Sequence, residues 1–414
     1  MKNEIIPHLN DPGQLEKMFR TDKMAFTREF NILYPELKGN PIADFWNERL
    51  NYETDELNWG TRKELFFVLL LALTAGLLAK LPSILAISEE FFYPRNIGFI
   101  IFPALAAFFA WKRNLSKGKA ALVIIATFSA VLFINFLPDV PESDTLILSC
   151  LHLIILLWAM VGFAFVGDWR VNVEKRLDYL KFNGDLIVIS ALICIAGVVM
   201  TGVTIGLFSL IGLNIEKFYF QNIVIFGLPA VPIVGTYLIQ ANPQLVGKVS
   251  PALARIFSPL VLVMLVIYLI AMAYLGKDPY NDREFLLIFN VLLIGVMAII
   301  FFSLSESSKV GKSRPEILIL LVLSIVTIVV NGIALSAILF RIAEWGFTPN
   351  RVAVLGANVL ILINLLLVTS QLYKATFKKE KLYGVGKATA NYLPFYIIWA
   401  FIVTFLFPLI FGVQ

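Results

Sequence analysis

Apolar segments about twenty residues long dominate this sequence, and no other feature restricts its fold as strongly. A helix of roughly 20 residues is needed to cross the ~30 Å hydrocarbon core of a bilayer. Hydrophobic residues make up 59% of the chain and charged residues 15%, whereas soluble domains average roughly 45–50% and about 25%. The sequence therefore predicts an all-α fold, a polytopic bundle of transmembrane helices, and excludes an ordinary soluble domain.

Residues 64–414 are predicted to form this transmembrane helical domain, with about eleven spans. The second predicted span is short, so we expect it to be little tilted or only partly inserted. The fifth is long enough to tilt strongly or to extend past the bilayer. The spans cover residues 65–87, 96–111, 119–137, 145–167, 185–212, 219–240, 256–275, 284–304, 315–340, 351–373 and 390–411.

Lys and Arg residues are concentrated in the loops that follow the even-numbered spans. The loop after the second span carries Lys112, Arg113, Lys117 and Lys119, whereas the loop before that span carries Arg95 alone. Because cytoplasmic loops carry the excess of basic residues, the N-terminus is predicted inside and the C-terminus outside. The alternation continues through all ten loops, which favours eleven spans over ten or twelve. This distribution of Lys and Arg also explains the net charge of +5. We therefore expect that the protein does not bind nucleic acid.

Residues 1–63 are polar and mixed in charge, unlike a cleavable signal peptide, and are predicted to form a cytoplasmic amphipathic helical segment. The pairs Asp11-Pro12 and Asn40-Pro41 are each typical of a helix start, and a further helix is predicted between them. A segment of about 60 residues is marginally stable alone, so we expect it to pack on the inner face of the membrane domain or on a partner. Its predicted core consists of Met18, Phe19, Phe26, Phe30, Phe45, Trp46 and Leu50.

The acidic residues argue against several functions. All 29 Asp and Glu lie outside the middle of the predicted spans, whereas proton- and sodium-coupled carriers commonly use intramembrane carboxylates. The outer loop with Asp139, Glu142 and Asp144 could bind a divalent cation or be a plain acidic turn; we expect the turn, with no metal and no cofactor. Common catalytic motifs are missing too: "SSKVGKS" has Glu306 where a phosphate-binding loop requires its first glycine.

One lysine and one histidine lie within predicted spans, and each has two interpretations. Lys80 could bind an anionic substrate as a buried cation, or it could extend to the interface near the outer end of its helix, which we favour. His152 could relay a proton, but a single imidazole without ligand partners cannot hold a metal. We expect a histidine hydrogen-bonded between helices.

The sixth span carries the best candidate for a substrate pathway. Two prolines stand in the middle of "FGLPAVPIVGTY", and each removes a backbone donor, so this helix is predicted to kink or break. A broken helix exposes backbone groups that can coordinate a substrate where they line a cavity, although a packed structural kink is the alternative. Glycines of the fifth span are predicted to allow close packing beside it. The candidate residues are Gly202, Gly206, Asn222, Pro229, Pro232 and Gln240.

The stretch "FRIAEWGFTPNRVAVL", residues 340–355, concentrates polar residues between two apolar spans. Arg341 and Glu344 are three residues apart and can pair as the ninth span ends. Gly346 can adopt the left-handed conformation that closes a helix, and Thr348 can cap the next one. Local structure therefore accounts for this stretch as a turn.

The same stretch resembles the signature of a family of bacterial multi-span membrane proteins catalogued as domain of unknown function 4153. The residues that match the pattern are Arg341, Glu344, Gly346, Thr348 and Arg351. The similarity extends over roughly the last half of the chain. It implies a multi-pass protein of the bacterial envelope, placed in the inner membrane, with no established activity and no catalytic residues to transfer.

Two functions are compatible with these observations. The first is a permease-like protein that binds or moves a small or lipid-like solute around the sixth helix. The second is a non-catalytic membrane subunit that assembles or regulates a partner through residues 1–63 and the basic inner loops. An enzyme acting on lipid or polymer ranks third, and we expect no enzymatic activity. Neither the oligomeric state nor the substrate follows from the sequence.

Overall fold

The structure is a computed structural model in which every regular element of the described residues is helical. The chain divides into two compact units, Met1–Asn58 and Trp59–Gln414. The structure describes residues 5–9, 11–21, 23–51, 60–140, 142–167, 173–210, 213–243, 249–274, 280, 289–290, 292–300, 314–378 and 383–413.

The first unit contains the three helices expected of the N-terminal segment: α1 (Pro12–Thr21), α2 (Lys23–Leu37) and α3 (Pro41–Asn51). The side chain of Asp11 accepts hydrogen bonds of 3.1 Å from the first backbone amides of α1. Asn40 does the same at the start of α3. Both cap predictions are therefore confirmed.

The core of this unit differs in part from the prediction. Phe26, Phe30 and Trp46 are fully buried, as expected, and Ile5 and Leu15 join them. Met18, Phe19 and Leu50 are partly buried around this cluster. The prediction was wrong for Phe45, which is 61% exposed. Adjacent residues of a helix point roughly 100° apart, so α3 buries Trp46 and leaves Phe45 outside the core.

The second unit is a bundle of long helices. Its helices are α4 (Arg62–Leu85), α5 (Glu89–Lys112), α6 (Lys117–Phe136), α7 (Asp144–Val166), α8 (Val173–Leu210), α9 (Glu216–Ala241), α10 (Val249–Tyr274), α11 (Arg314–Trp345), α12 (Pro349–Phe377) and α13 (Tyr383–Phe401, continuing through Ile402–Leu406 to Phe407–Phe411). Within the described residues, nine of them are long and apolar enough to cross a membrane. The chain therefore has the build of a multi-pass membrane protein.

Two of the predicted spans, 256–275 and 284–304, are not among these nine. The predicted span 256–275 corresponds to α10, within which Ser258–Ile267 forms a shorter apolar stretch. The predicted span 284–304 lies partly outside the described residues, and its described parts, 289–290 and 292–300, are helical. A count of eleven therefore stays a prediction.

The second predicted span is longer than expected. Instead of a short segment over 96–111, α5 begins at Glu89. Hydropathy missed the first two turns because they carry Glu89, Glu90 and Arg95 and are followed by Asn96; Arg95 and Asn96 are both buried. Arg95 pairs with Asp139 at 3.0 Å, and Asn96 exchanges hydrogen bonds with Asn135 of α6. These partners supply the polar contacts that burial demands.

The fifth helix also starts earlier than predicted. Since α8 begins at Val173 rather than at 185, Asp185 stands twelve residues inside the helix and is only 5% exposed. At its full length of 38 residues, α8 measures about 57 Å and exceeds the bilayer core. Asp185 is therefore a buried carboxylate within a long helix, not a residue at its edge.

Hydrogen bonds join helix ends that lie far apart in sequence. Thr145, at the start of α7, donates to the carbonyl of Gly412, just after α13. At the other end of the bundle, Arg176 of α8 donates to the carbonyl of Ala390 in α13. That end, which also carries Lys119 and Lys175, is termed the basic end below.

Candidate functional site

The sixth predicted span is not broken. Helical structure runs without interruption from Glu216 to Ala241, although Pro229 and Pro232 stand inside it. The irregularity lies one to two turns earlier, as a π-helical turn at Phe220–Val224. Because a π turn accommodates an extra residue per turn, it can absorb distortion while the chain stays helical.

The glycines expected to pack beside this helix do not do so in the part of the chain that the structure describes. Gly202 and Gly206 are exposed, and a Cβ built on either would meet no described atom within 4 Å. The close approach of α8 to α9 occurs at Gly235 instead, where a Cβ would lie 3.2 Å from Leu186. The predicted glycine face and the prolines are therefore not brought together.

Lys80 and Asn222 are brought together across two helices. Lys80 Nζ of α4 donates to Asn222 Oδ1 of α9 and lies 6.0 Å from the centre of the Phe226 ring. Gly76, one turn earlier, allows this approach, since a Cβ there would lie 2.2 Å from Phe226. Gln240 is eighteen residues from Asn222, about 27 Å along the helix, so the two cannot contact the same small solute.

His152 bonds within its own helix rather than between helices. Its Nδ1 lies 2.9 Å from the carbonyl oxygen of Leu148, one turn earlier in α7. The expectation of an interhelical bond was wrong in this respect. Among the described residues, no group of three His, Cys, Asp or Glu could hold a metal ion.

The turn between α11 and α12 is fixed by local contacts. Gly346 has a φ of 74°, and the Thr348 hydroxyl accepts from the amide of Arg351 at 3.3 Å. The Arg351 guanidinium donates to the carbonyls of Trp345 and Gly346 at 2.8 and 2.7 Å. Glu344, the expected partner of Arg341, is exposed.

Arg341 contributes to this turn in another way. Its Nε donates to the carbonyl of Tyr280 at 2.8 Å, and its guanidinium lies 5.7 Å from the centre of the Trp345 ring. Sequence spacing could not reveal this partner, because Tyr280 lies 61 residues earlier. The turn thus holds the backbone carbonyl of Tyr280.

A cavity of about 870 Å³ lies between four helices of the second unit. Pockets for small ligands typically measure about 300–1,000 Å³ and are mostly apolar. Side chains of α6, α7 and α13 form most of the lining, and α8 contributes two residues. The cavity is open at α6, where Ala126 and Ser129 stay exposed.

The depth of this cavity matches one leaflet of a bilayer. Its lining on α7 extends from Leu153 to Val166, thirteen residues or about 20 Å. Half of a bilayer, with its headgroup region included, is about 20–22 Å. One end of the cavity therefore lies at the basic end of the bundle, where α7 finishes, and the other lies near the middle of the helices.

Small residues and helix irregularities leave the space that the cavity occupies. Ala126 on α6 and Ala159 on α7 have small side chains where larger residues would fill the gap. Opposite them, α13 contains Pro394 and a π-helical turn at Ile402–Leu406. Phe401 and Phe405 of this region line the end of the cavity that is farther from Arg176 along α13.

Polar groups occur at the basic end of the cavity. Arg176 is the one charged side chain among the described lining residues. Near it, the Tyr179 hydroxyl donates to the carbonyl of Trp158 at 2.6 Å, and the indole of Trp158 donates to Asn183 at 2.8 Å. The cavity is therefore apolar along most of its length and polar, with a positive charge, at one end.

None of the residues predicted for the substrate pathway lines this cavity. The residues missed are Trp158, Gly162, Arg176 and Tyr179. The run of small residues on one side of α6 and α7 was a usable signal. It was not decisive, because a sequence does not specify which neighbouring helix faces them.

Comparisons with known proteins identify no relative: no family model, no curated protein and no solved structure matches this chain.

Proposed function

We propose that this protein is an eleven-span membrane protein, with its N-terminus in the cytoplasm, that binds a lipid-like molecule in the cavity between α6, α7, α8 and α13. The single observation that carries this proposal is a long apolar cavity, one leaflet deep, with a positive charge at one end. Membership of the domain-of-unknown-function-4153 family, and with it a bacterial inner membrane, is proposed on the turn residues alone.

The proposed orientation is supported by the contacts between helix ends. The residues that meet at the basic end, such as Lys119 with Gly167 and Arg176 with Ala390, all belong to loops or helix ends rich in Lys and Arg. Under the positive-inside rule this end faces the cytoplasm. The cavity would then open to the cytoplasmic leaflet.

The lining favours an acyl chain as the occupant. In a bilayer, lipid hydrocarbon fills an apolar surface that is open to the side of the bundle. A groove about one leaflet long orders an acyl chain along its length. The described lining carries the hydroxyls of Ser129 and Tyr179 but no carboxylate and no imidazole. Carboxylates and imidazoles serve as acids, bases or nucleophile partners in hydrolases. We therefore favour binding of the ligand, with permease-like movement, over catalysis.

Filling the cavity tests this proposal. We would purify the full-length protein in a mild detergent and quantify retained lipids by native mass spectrometry for the wild type, Ala126→Trp and Ile124→Trp. Ala126 lines the cavity at an exposed position, whereas Ile124 is 67% exposed on the same helix outside it. We expect Ala126→Trp to lose bound lipid and Ile124→Trp to keep it. Equal retention by both variants would contradict the proposal.

A second function is favoured by one feature of the N-terminal unit. Phe45 and Ile42 lie beside Arg49 and Glu16 in a groove of about 520 Å³, and an exposed aromatic next to a charged cluster is typical of protein interfaces. We therefore propose, as the alternative, that residues 1–63 contact a partner protein. Phe45→Gln should abolish specific copurification if this is correct, whereas an unchanged set of copurifying proteins would reject it.

A further inference from the structure

We infer that Arg176 binds a phosphate group, so that the ligand of the cavity is a phospholipid whose phosphate lies at the basic end. This inference rests on the proposed function and adds the headgroup chemistry to it. The occupant we commit to is a phospholipid of the leaflet that the basic end faces.

The first argument is the position and bonding of Arg176. Its side chain lines the polar end of the cavity and is partly buried. One donor, Nη1, is directed to the carbonyl of Ala390 at 3.1 Å, which fixes the guanidinium without neutralising it. A guanidinium presents five donors in a planar fork that matches the oxygens of phosphate.

The second argument is the electrostatic environment of this end. The C-terminus of α7 finishes here, and helix C-termini carry partial negative charge that would repel an anion. Two ammonium groups cover those carbonyls: Lys119 Nζ donates to Gly167 at 2.5 Å, and Lys175 Nζ to Val166 at 3.5 Å. The carbonyl oxygens at this helix end are therefore covered by two cations, and of the three basic side chains Arg176 is the one that lines the cavity.

The shape of the cavity distinguishes a lipid phosphate from a free one. A site for inorganic phosphate needs only the polar rim, whereas the apolar part of this cavity continues for about 20 Å along α7 and ends at aromatic side chains, Phe401 and Phe405. A phosphate at Arg176 with acyl chains directed toward these rings would use both parts. The combination of a cation at one end and hydrocarbon contact along the remainder is the chemistry of a phospholipid site.

The experiment measures binding of three probes to the full-length protein in detergent: phosphatidylglycerol, diacylglycerol with the same acyl chains, and inorganic phosphate. The variants are Arg176→Gln, Arg176→Lys and, as a matched control, Lys117→Gln, which removes an exposed cation at the same end of the bundle outside the cavity. Charge-assisted hydrogen bonds are about twice as strong as neutral ones. We therefore expect Arg176→Gln to weaken phosphatidylglycerol binding about tenfold and to leave diacylglycerol binding unchanged.

The remaining variants separate this inference from the proposal on which it rests. Arg176→Lys, which keeps the charge, should retain part of the affinity, and Lys117→Gln should bind like the wild type. If phosphatidylglycerol binds no better than diacylglycerol, or if Arg176→Gln and Arg176→Lys leave its affinity unchanged, the phosphate inference fails while lipid binding stands. If inorganic phosphate binds as tightly as the lipid, the phospholipid assignment fails. If Ala126→Trp leaves the binding of both lipids unchanged, the proposed function itself fails.

Discussion

The hydroxyl of Tyr179 donates a 2.6 Å hydrogen bond to the backbone carbonyl of Trp158, and both side chains line the cavity. This contact joins α8 to α7 near the basic end. It requires Gly162, because a Cβ at that position would lie 2.7 Å from the Tyr179 ring. One wall of the cavity is thus held by a buried tyrosine packed over a glycine.

Removing this hydroxyl should weaken the bundle slightly without closing the cavity. We expect Tyr179→Phe to lower the free energy of unfolding by about 0.6–1.5 kcal/mol, since it deletes one buried hydrogen bond and little volume. The measurement is unfolding in mixed micelles with increasing denaturing detergent. The control is Tyr373→Phe, at a position 52% exposed, which should unfold like the wild type. A larger loss of unfolding free energy in Tyr373→Phe than in Tyr179→Phe would contradict the role assigned to the buried hydrogen bond.

Two buried asparagines should respond differently to replacement by leucine. Asn96 exchanges two hydrogen bonds with Asn135, at 2.8 and 2.9 Å. Asn96→Leu removes both bonds from the Asn135 amide and should lower the free energy of unfolding by about 1–3 kcal/mol. Asn331 makes one bond, to the carbonyl of Asn358 at 3.2 Å, and its Oδ1 has no partner among the described residues. Asn331→Leu should therefore change stability by less than about 1 kcal/mol.

The same unfolding assay compares both variants. An equal and large loss for Asn331→Leu would show that the buried Oδ1 of Asn331 has a partner in the folded protein, such as an ordered water.

The turn after α11 should depend on a glycine. Because Gly346 has a φ of 74°, where a side chain costs about 1–2 kcal/mol, Gly346→Ala should destabilise the protein by that amount. Gly332, an exposed glycine inside α11 with no atom near its would-be Cβ, provides the control. Gly332→Ala should be neutral or stabilising by up to about 1 kcal/mol. Equal effects of the two substitutions on unfolding would refute the conformational explanation.

Acid should loosen the N-terminal unit through Glu16. The hydrogen bond from Arg20, together with the charge of Arg49, holds the pKa of the Glu16 carboxyl below its usual value of 4.5. Since the folded-state pKa is lower than the unfolded one, this stabilisation is complete above about pH 4.5 and is lost as the pH falls through the folded pKa. We expect amide protection in residues 12–51, corrected for intrinsic exchange, to decrease over that acidic range.

Two variants of the full-length chain check this assignment. Glu16→Gln should remove most of the acid-dependent loss of protection, because it cannot titrate. Glu36→Gln, at an exposed position on α2, should leave the loss unchanged. An identical pH profile for the wild type and Glu16→Gln would rule out Glu16 as the group responsible.

Hydropathy alone predicted most of the helices because each needs only its own length and apolar composition. It failed where a polar residue is buried with a partner from another helix or loop: Arg95 and Asn96 concealed the start of α5, and their partners lie about forty residues away. The helix starts around Asp11 and Asn40 were predictable, because a cap involves only the next three residues.

The candidate site could not be predicted in the same way. The prolines of the sixth span were conspicuous, yet Pro229 and Pro232 lie in a continuous helix. The cavity depends on which faces of α6, α7 and α13 meet, and that is decided by contacts between residues more than two hundred positions apart, such as Ser149 with Thr404. Composition and spacing within one helix carry no information about such contacts.

Photolabelling with a phosphatidylglycerol that carries a diazirine in one acyl chain tests the central claim most directly. In the full-length protein reconstituted in bilayers, we predict labelling concentrated on cavity residues such as Met160 and Phe401, and lost in Ala126→Trp. The contradictory result is labelling that is equally strong at exposed residues outside the cavity, such as Ile124 and Ile195, and that Ala126→Trp leaves unchanged.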